Sequence, residues 1–173
     1  MKTTLIATLL SLSLLPIVSQ VNASFEDFQQ EILDTHNTFR AKHEAPALQW
    51  DNVLAEYAHR HASQCNFVHT HGPYGENLAA GYPTAEAALT AWYSEQRYYS
   101  YNNPQFSTTT GHFTQLVWKS TQKVGCASVS CNGLHGTPGH YLVCEYSPPG
   151  NRVSPGYFAK NVTPALSSQA AAD

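Results

Sequence analysis

The first two-thirds of the chain shows helical patterns separated by polar loops. Apolar side chains recur three and four residues apart between residues 24 and 44, which predicts a helix. Asp51 can cap a second helix that runs to about Cys65. Thr84 can cap a third helix over 85–96, a segment rich in strong helix formers. The pattern therefore predicts three helices before the chain becomes irregular.

Loops and a hairpin follow from the remaining pattern. Residues 66–83 and 98–111 are predicted as loops, and a short helix is predicted around Phe113–Trp118. The segments KVGCASVSC and GHYLVCEYS are rich in Val and Tyr and alternate as strands do. The loop Asn132–Gly139 would join them as an antiparallel hairpin, and several prolines make the chain after Pro148 irregular. Helices first and a sheet late indicate an α+β fold, for which a layered α-β-α arrangement is one option.

Composition limits the class of protein. The 173 residues are 42% apolar and 12% charged, which suits one folded domain and excludes a disordered chain or a coiled coil. The formal net charge is −3 and no basic stripe is present, so nucleic acid is a poor partner.

The first 23 residues have the features of a secretory signal peptide. Lys2 precedes an apolar run that is too short to span the ~30 Å hydrocarbon layer of a membrane. Val21 and Ala23 supply small residues for cleavage near Ala23–Ser24, with an uncleaved anchor as the alternative. No later segment is apolar enough to span a membrane, so we expect a secreted, extracellular protein.

The four cysteines favour two disulfides in that compartment, with free buried thiols as the alternative. Cys126 and Cys131 lie five apart on one predicted strand and face opposite sides, so they cannot easily pair. Cys126 is then expected to pair with Cys144 across the hairpin, which leaves Cys65 with Cys131.

Histidine is unusually frequent, with nine residues, but no familiar catalytic or metal motif appears. His59 and His61 would point about 200° apart on a helix, so we interpret them as surface residues that cannot share a metal. The sequon at Asn161 is a candidate glycosylation site.

Three segments are denser in polar and aromatic residues than a loop requires: HTHGPYGENL, WYSE and GHFTQLVW. Trp92 and Glu95 share one helix face, so an inward Trp92 would draw Glu95 inside, where it needs a partner. Two residues have simpler interpretations, since Glu76 could accept backbone N–H bonds in its turn and His112 could cap the short helix.

Four long blocks resemble one superfamily: GHFTQLVWKST, YLVCEYSPPGN, HTHGPYGENLA and HNTFRAKHEAPALQWDNVLAEYA. It contains the cysteine-rich secretory proteins, antigen 5 and the pathogenesis-related 1 proteins, abbreviated CAP. The amino-acid sequences of these blocks are most similar to those of the fungal branch, the pathogen-related yeast proteins. The resemblance implies a CAP domain over 24–160, followed by a polar tail over 161–173. It also implies a three-layer α-β-α sandwich with a central antiparallel sheet and the same two disulfides.

The family's cleft holds two His and two Glu, and the matching residues are His69, Glu76, Glu95 and His112. His71 is the alternative for the first histidine. This set could accept a divalent ion such as zinc or magnesium, or form a metal-free hydrogen-bonded network.

The resemblance also implies lipid capture. Yeast relatives bind sterols through a loop just before the GHFTQ block, and other relatives bind fatty acids between two helices. The corresponding loop carries Tyr98, Tyr99, Tyr101 and Phe106, whose aromatic rings suit a sterol. The leading hypothesis is a secreted lipid-binding protein that exports or sequesters sterols. The alternatives are an effector or virulence factor that recognises a host or cell-surface protein, and a metal-dependent hydrolase or protease.

Overall fold

The computed structural model describes residues 15–166, with side chains from residue 25 onward. Two 3₁₀ turns, Glu95–Tyr98 and Leu134–Gly136, accompany the main elements. Those elements are α1 (Leu15–Lys42), β1 (Gln49–Trp50), α2 (Asn52–Ala62), β2 (Gly75–Ala80), α3 (Ala85–Ser94), α4 (Gly111–Leu116), β3 (Lys123–Ser130), β4 (His140–Ser147) and α5 (Tyr157–Asn161).

Both predicted helix caps are present. A side-chain oxygen of Asp51 accepts hydrogen bonds from the first amides of α2, at 2.9 Å from Val53 N and 3.2 Å from Leu54 N. The Thr84 hydroxyl accepts from Ala87 N at 3.1 Å. These bonds satisfy N–H groups that have no partner inside a helix, so the two starts lie where the sequence placed them.

The predicted hairpin is confirmed, and the sheet has four strands in the order β1-β3-β4-β2. Strands β2 and β4, like β3 and β4, pair antiparallel, while the two-residue β1 joins β3 in parallel. Strand β2 lies inside the segment 66–83 that we predicted as loop, so that part of the prediction is wrong. The short strand GENLAA gains its hydrogen bonds from β4, far along the chain, which local pattern does not show.

The sheet separates two hydrophobic cores, which confirms the three-layer α-β-α sandwich. Alternate residues of β4 face opposite layers. Leu142, Cys144 and Tyr146 pack in the core with α1, α3 and α4. Tyr141 and Val143 pack in the core beneath α2, so Glu145 also faces α2.

Gly125 on β3 lets α2 lie directly on the sheet. A Cβ at this position would overlap the backbone nitrogen of Ala55 in α2. Gly125 is also the residue opposite Glu145 in the β3–β4 ladder. The close approach therefore brings α2 down onto the strand that carries Glu145.

Both predicted disulfides, Cys65–Cys131 and Cys126–Cys144, are present, and no free cysteine occurs in the described part of the chain. Cys126 lies directly opposite Cys144 in the β3–β4 register, as the hairpin argument required. Cys65 follows α2 and Cys131 follows β3, so this bond joins the α2 layer to the sheet.

The chain termini lie largely outside the residues that the structure describes. The predicted signal peptide overlaps residues 1–14 and the predicted tail overlaps 167–173, whose structure is not described. Helix α1 begins at Leu15, upstream of the expected start at residue 24. None of the described helices combines the length and apolar character needed to cross a membrane. The signal peptide and the domain bounds stay predictions.

Candidate functional site

Glu76 on β2 is held by the loop that precedes it. Its Oε1 lies 2.6 Å from Nδ1 of His69 and accepts from Thr70 N at 3.0 Å. Its Oε2 accepts from the Thr70 hydroxyl at 2.9 Å. Only 6% of the Glu76 side chain is exposed, against 51% of His69. His69, rather than the alternative His71, is therefore the histidine that contacts Glu76.

This pairing shifts the ionisation of both groups. The hydrogen bond to Glu76 raises the pKa of His69 above its ordinary value. Burial by itself would raise the pKa of Glu76, but hydrogen bonds from His69, Glu145 and Thr70 outweigh it and lower that pKa below its ordinary value. Glu76 is therefore a carboxylate at neutral pH.

Glu95 and His112 form a second pair between α3 and α4. Glu95 Oε1 lies 2.6 Å from His112 Nδ1, and Glu95 Oε2 accepts from His112 N and Phe113 N, each at 3.1 Å. The indole of Trp92 stacks on the His112 ring, with centroids 5.7 Å apart. The buried Trp92 thus draws Glu95 toward a partner, as its position on the helix face predicted.

The two pairs line different cavities. Glu95 and His112 border a cavity of about 290 Å³ beside α3. His69 and Glu76 border one of about 260 Å³ beside Gln115. The four predicted residues form two His–Glu pairs, and their joint role as metal ligands stays a prediction.

A third cluster was missed by the sequence analysis. His61 Nδ1 lies 3.0 Å from Glu76 Oε2, and only 5% of the His61 side chain is exposed. Our interpretation of His61 as a surface residue is therefore wrong. His61 follows Leu54 by seven residues and Ala58 by three, and both are buried, so helical spacing places all three on one face.

Glu145 completes this cluster from β4. It lies directly opposite Glu76 in the β2–β4 register, and 1% of the residue is exposed. Ligand atoms of His61, Glu76 and Glu145 all lie within 4.8 Å of one another. Among the described residues, this is the only group of three His, Cys, Asp or Glu side chains with that property. These three residues are called the inner cluster below.

Burial and the facing Glu76 determine whether Glu145 is charged. Burial raises the pKa of the Glu145 carboxyl to about 9, and the facing Glu76 carboxylate adds to the effect. Two carboxylates opposite each other in a low-dielectric interior cannot both ionise at low cost. In the metal-free protein Glu145 is therefore protonated at neutral pH while Glu76 is charged.

Glu145→Gln is expected to raise the free energy of unfolding by roughly 4 kcal/mol at pH 8, and by less than about 1 kcal/mol at pH 5. The folded carboxyl has a pKa of about 9 but the unfolded one about 4.5, so wild-type stability falls as pH rises between those values. Glutamine needs no proton and removes this dependence. Urea unfolding at both pH values, with EDTA present to exclude bound cations, measures the difference.

Glu56→Gln provides the matched control because the Glu56 side chain on α2 is 72% exposed. It should leave the pH dependence unchanged. A Glu145→Gln protein that is less stable than wild type at pH 8 would contradict the assigned protonation of Glu145.

The predicted lipid-binding aromatics occupy two environments. Tyr98 and Phe106 are exposed, at 61% and 45%. Tyr99 is buried and lies edge-on to Phe113, with ring centroids 5.8 Å apart. Tyr101 contacts Tyr99, with centroids 4.9 Å apart. Tyr98 and Phe106 therefore offer accessible rings, while Tyr99 and Tyr101 support the loop from beneath.

Asn161 lies at the end of α5 with its side chain buried. Its amide donates to Tyr157 O at 2.9 Å, and its oxygen accepts from Ser120 N at 2.9 Å. A glycan would attach to this amide nitrogen, which is buried with the rest of the side chain. Glycosylation of Asn161 stays a prediction, and in the folded chain the acceptor amide is already engaged.

Known proteins resemble this chain in sequence and fold. The family model described as "CAP: Cysteine-rich secretory protein family" matches residues 33–146. Protein PRY2 of Saccharomyces cerevisiae is 47% identical over 80% of this chain and 42% of its own length. Secreted protein RBT4 of Candida albicans is 46% identical over 78% of this chain and 40% of its own length.

Solved structures share the architecture. The crystal structure of NaASP2 with Zn²⁺ superposes with a TM-score of 0.63, covering 82% of this chain and 87% of that one, at 23% identity. The chain spans only about half the length, or less, of the fungal relatives it matches. The family model nevertheless covers most of the described chain, and these fungal relatives exceed 40% identity over more than two-thirds of it. The chain therefore belongs to the cysteine-rich secretory protein (CAP) family, as its blocks GHFTQLVWKST and HTHGPYGENLA indicated.

Proposed function

We propose that this protein is a secreted lipid carrier that binds a sterol, or a similar flat apolar ligand, beside Phe106. The observation that carries the proposal is a cavity of about 370 Å³ between the loop 104–106 and the segment 153–158. That volume lies within the range of roughly 300–1,000 Å³ typical of small-molecule sites.

Apolar side chains supply about half of the walls of this cavity. The Phe106 and Phe158 rings lie with centroids 6.5 Å apart, tilted at 58°. Val153 on the opposite wall is 78% exposed. Pro104 and Pro155 restrict the backbone on both sides. Exposed apolar side chains gathered on two facing segments are typical of a surface that an apolar ligand covers.

The expected affinity is modest. A sterol ring system that buries a few hundred Å² of apolar surface gains several kcal/mol at ~25 cal/mol per Å². Ordering the loop and immobilising the ligand returns part of this gain, so we expect dissociation constants in the micromolar range.

Phe106→Ala is expected to weaken sterol binding several-fold, because it removes the aromatic wall that faces the cavity. His112→Ala should change sterol affinity little, because His112 borders the separate cavity beside α3. Equilibrium titration of the purified protein with a fluorescent sterol gives both constants.

Phe67→Ala is the matched control because Phe67 is exposed to a similar extent, 50% against 45% for Phe106. It should bind sterol as wild type does. If His112→Ala abolishes sterol binding and Phe106→Ala does not, the ligand lies in the His–Glu cleft and the loop assignment is wrong.

A fatty-acid-like ligand is the second candidate, favoured by a larger groove between α1 and α2. This groove has a volume of about 750 Å³, and Phe25, Phe28 and Ala55 contribute apolar surface to it. A ligand there should bind together with a sterol, since the two sites share no lining residue. Competition between a fluorescent fatty acid and unlabelled sterol tests this independence.

Binding of a divalent ion by His69, Glu76, Glu95 and His112 stays a prediction. As the side chains stand, each histidine Nδ1 already contacts a carboxylate, and the two pairs border separate cavities. The lipid-binding proposal does not depend on that ion.

A further inference from the structure

The inner cluster gathers three potential metal ligands from three different elements. His61 comes from the last turn of α2, Glu76 from β2 and Glu145 from β4. The two glutamates face α2 because they are opposite each other in the antiparallel register. Gly125 allows the helix to approach the sheet closely enough for the imidazole to reach them.

Polar atoms of this cluster lack partners. Five buried side-chain nitrogen or oxygen atoms in the described part of the chain make no hydrogen bond when every glutamate is a carboxylate, and three of them are His61 Nδ1 and both oxygens of Glu145. His61 Nδ1 is 3.0 Å from Glu76 Oε2 but at an angle that makes no hydrogen bond. A protonated Glu145 can share its proton with Glu76, which still leaves His61 Nδ1 and one Glu145 oxygen without a partner. Buried polar groups without partners are rare in folded proteins, so their concentration at one point indicates a missing ligand.

A divalent cation would satisfy all of these atoms together. One imidazole and two carboxylates are a donor set that zinc and manganese accept. Zinc holds such ligands at roughly 2.0–2.2 Å in a tetrahedron, so donors on one ion lie roughly 3.3–3.6 Å apart. The three ligand atoms lie within 4.8 Å of one another, so side-chain rotations must bring them closer by up to about 1.5 Å to close the site.

We propose that His61, Glu76 and Glu145 form a divalent-cation site, best suited to zinc, that shares only Glu76 with the predicted four-residue set. Glu76 also borders the cavity of about 260 Å³ beside His69, so one of the three ligands lies next to the protein surface. His69 and Thr70 hold the Glu76 carboxylate in place from that side. They act as positioning residues for the shared ligand.

Calorimetric titration of the full chain with zinc chloride at pH 7.5 tests the proposal. Glu145→Gln and His61→Gln should each weaken zinc binding by about tenfold or more, since each removes a direct ligand. His59→Gln is the matched control, because His59 lies two residues from His61 on the same helix and is exposed. It should bind zinc within about twofold of wild type, as expected for a side chain pointing away from the cluster.

His112→Gln separates this site from the predicted four-residue set, because only the latter contains His112. The proposal requires that this variant retain the zinc binding that Glu145→Gln loses. Loss of zinc binding in His112→Gln but not in Glu145→Gln would overturn it, as would a wild-type protein that gives no zinc heat. Thermal unfolding without metal confirms that each variant is folded, which Glu145→Gln should pass with a stability at least equal to wild type.

Discussion

Arg40→Met is expected to lower the free energy of unfolding by about 4 kcal/mol or more. Arg40 on α1 is completely buried, and its guanidinium donates hydrogen bonds of 2.8–3.0 Å to four backbone carbonyls. The acceptors are the carbonyls of Pro46, Leu116, Trp118 and Thr121. Methionine fills similar space but leaves these four carbonyls without their charged donor.

The size of the effect follows from burial and charge. Burial lowers the pKa of Arg40 to about 10, so the guanidinium is still charged at neutral pH. Hydrogen bonds from a charged donor contribute roughly 1.5–3 kcal/mol each, and neighbouring losses do not add fully. Leu116 ends α4, and Trp118 and Thr121 lie between α4 and β3, so losing Arg40 detaches α1 from the connection that follows His112.

Arg60→Met is the control for this experiment. Arg60 lies on α2, its side chain is 58% exposed, and its partner Glu56 is 72% exposed. An exposed ion pair of this kind contributes at most about 1 kcal/mol. Urea unfolding followed by tryptophan fluorescence compares both variants with wild type. An Arg40→Met protein within about 1 kcal/mol of wild type would contradict the structural role assigned to the guanidinium.

The sequence predicted those elements whose signals are local. Asp51 and Thr84 lie directly before helical patterns, and a cap acts within three residues of itself. The hairpin strands carry their own alternation and flank a glycine-rich loop. Strand β2 has neither feature, because its six residues include Gly75 and its hydrogen bonds come only from β4. A strand that depends on a distant partner cannot be identified from its own composition.

The site was predicted in part for a related reason. Glu95 could be expected to need a partner, because Trp92 on the same helix face is large and apolar. Family resemblance, and not spacing, supplied His69 and Glu76. The spacing of His61 from Leu54 and Ala58 along the chain predicts that all three share one buried helix face. Comparing His61 with His59 alone left that face unrecognised. Glu145 lies within a strand buried on both sides, where alternation between polar and apolar positions gives no signal.

Removing the Cys65–Cys131 bond is expected to destabilise the protein by about 4 kcal/mol, more than the roughly 3 kcal/mol expected for Cys126–Cys144. The first bond spans 66 residues and the second 18, so the first restricts the unfolded chain more. The paired variants C65A/C131A and C126A/C144A leave no free thiol behind. Urea unfolding under non-reducing conditions measures both against wild type.

The two bonds also differ in what they hold in the folded state. Cys126–Cys144 joins neighbouring strands that the β3–β4 ladder already pairs. Cys65–Cys131 fixes the end of α2, four residues after His61, onto the sheet. We therefore expect C65A/C131A to lower zinc affinity as well as stability, while C126A/C144A lowers stability alone. A larger loss of stability from C126A/C144A than from C65A/C131A would show that strand pairing, rather than restriction of the unfolded chain, sets the contribution of each bond.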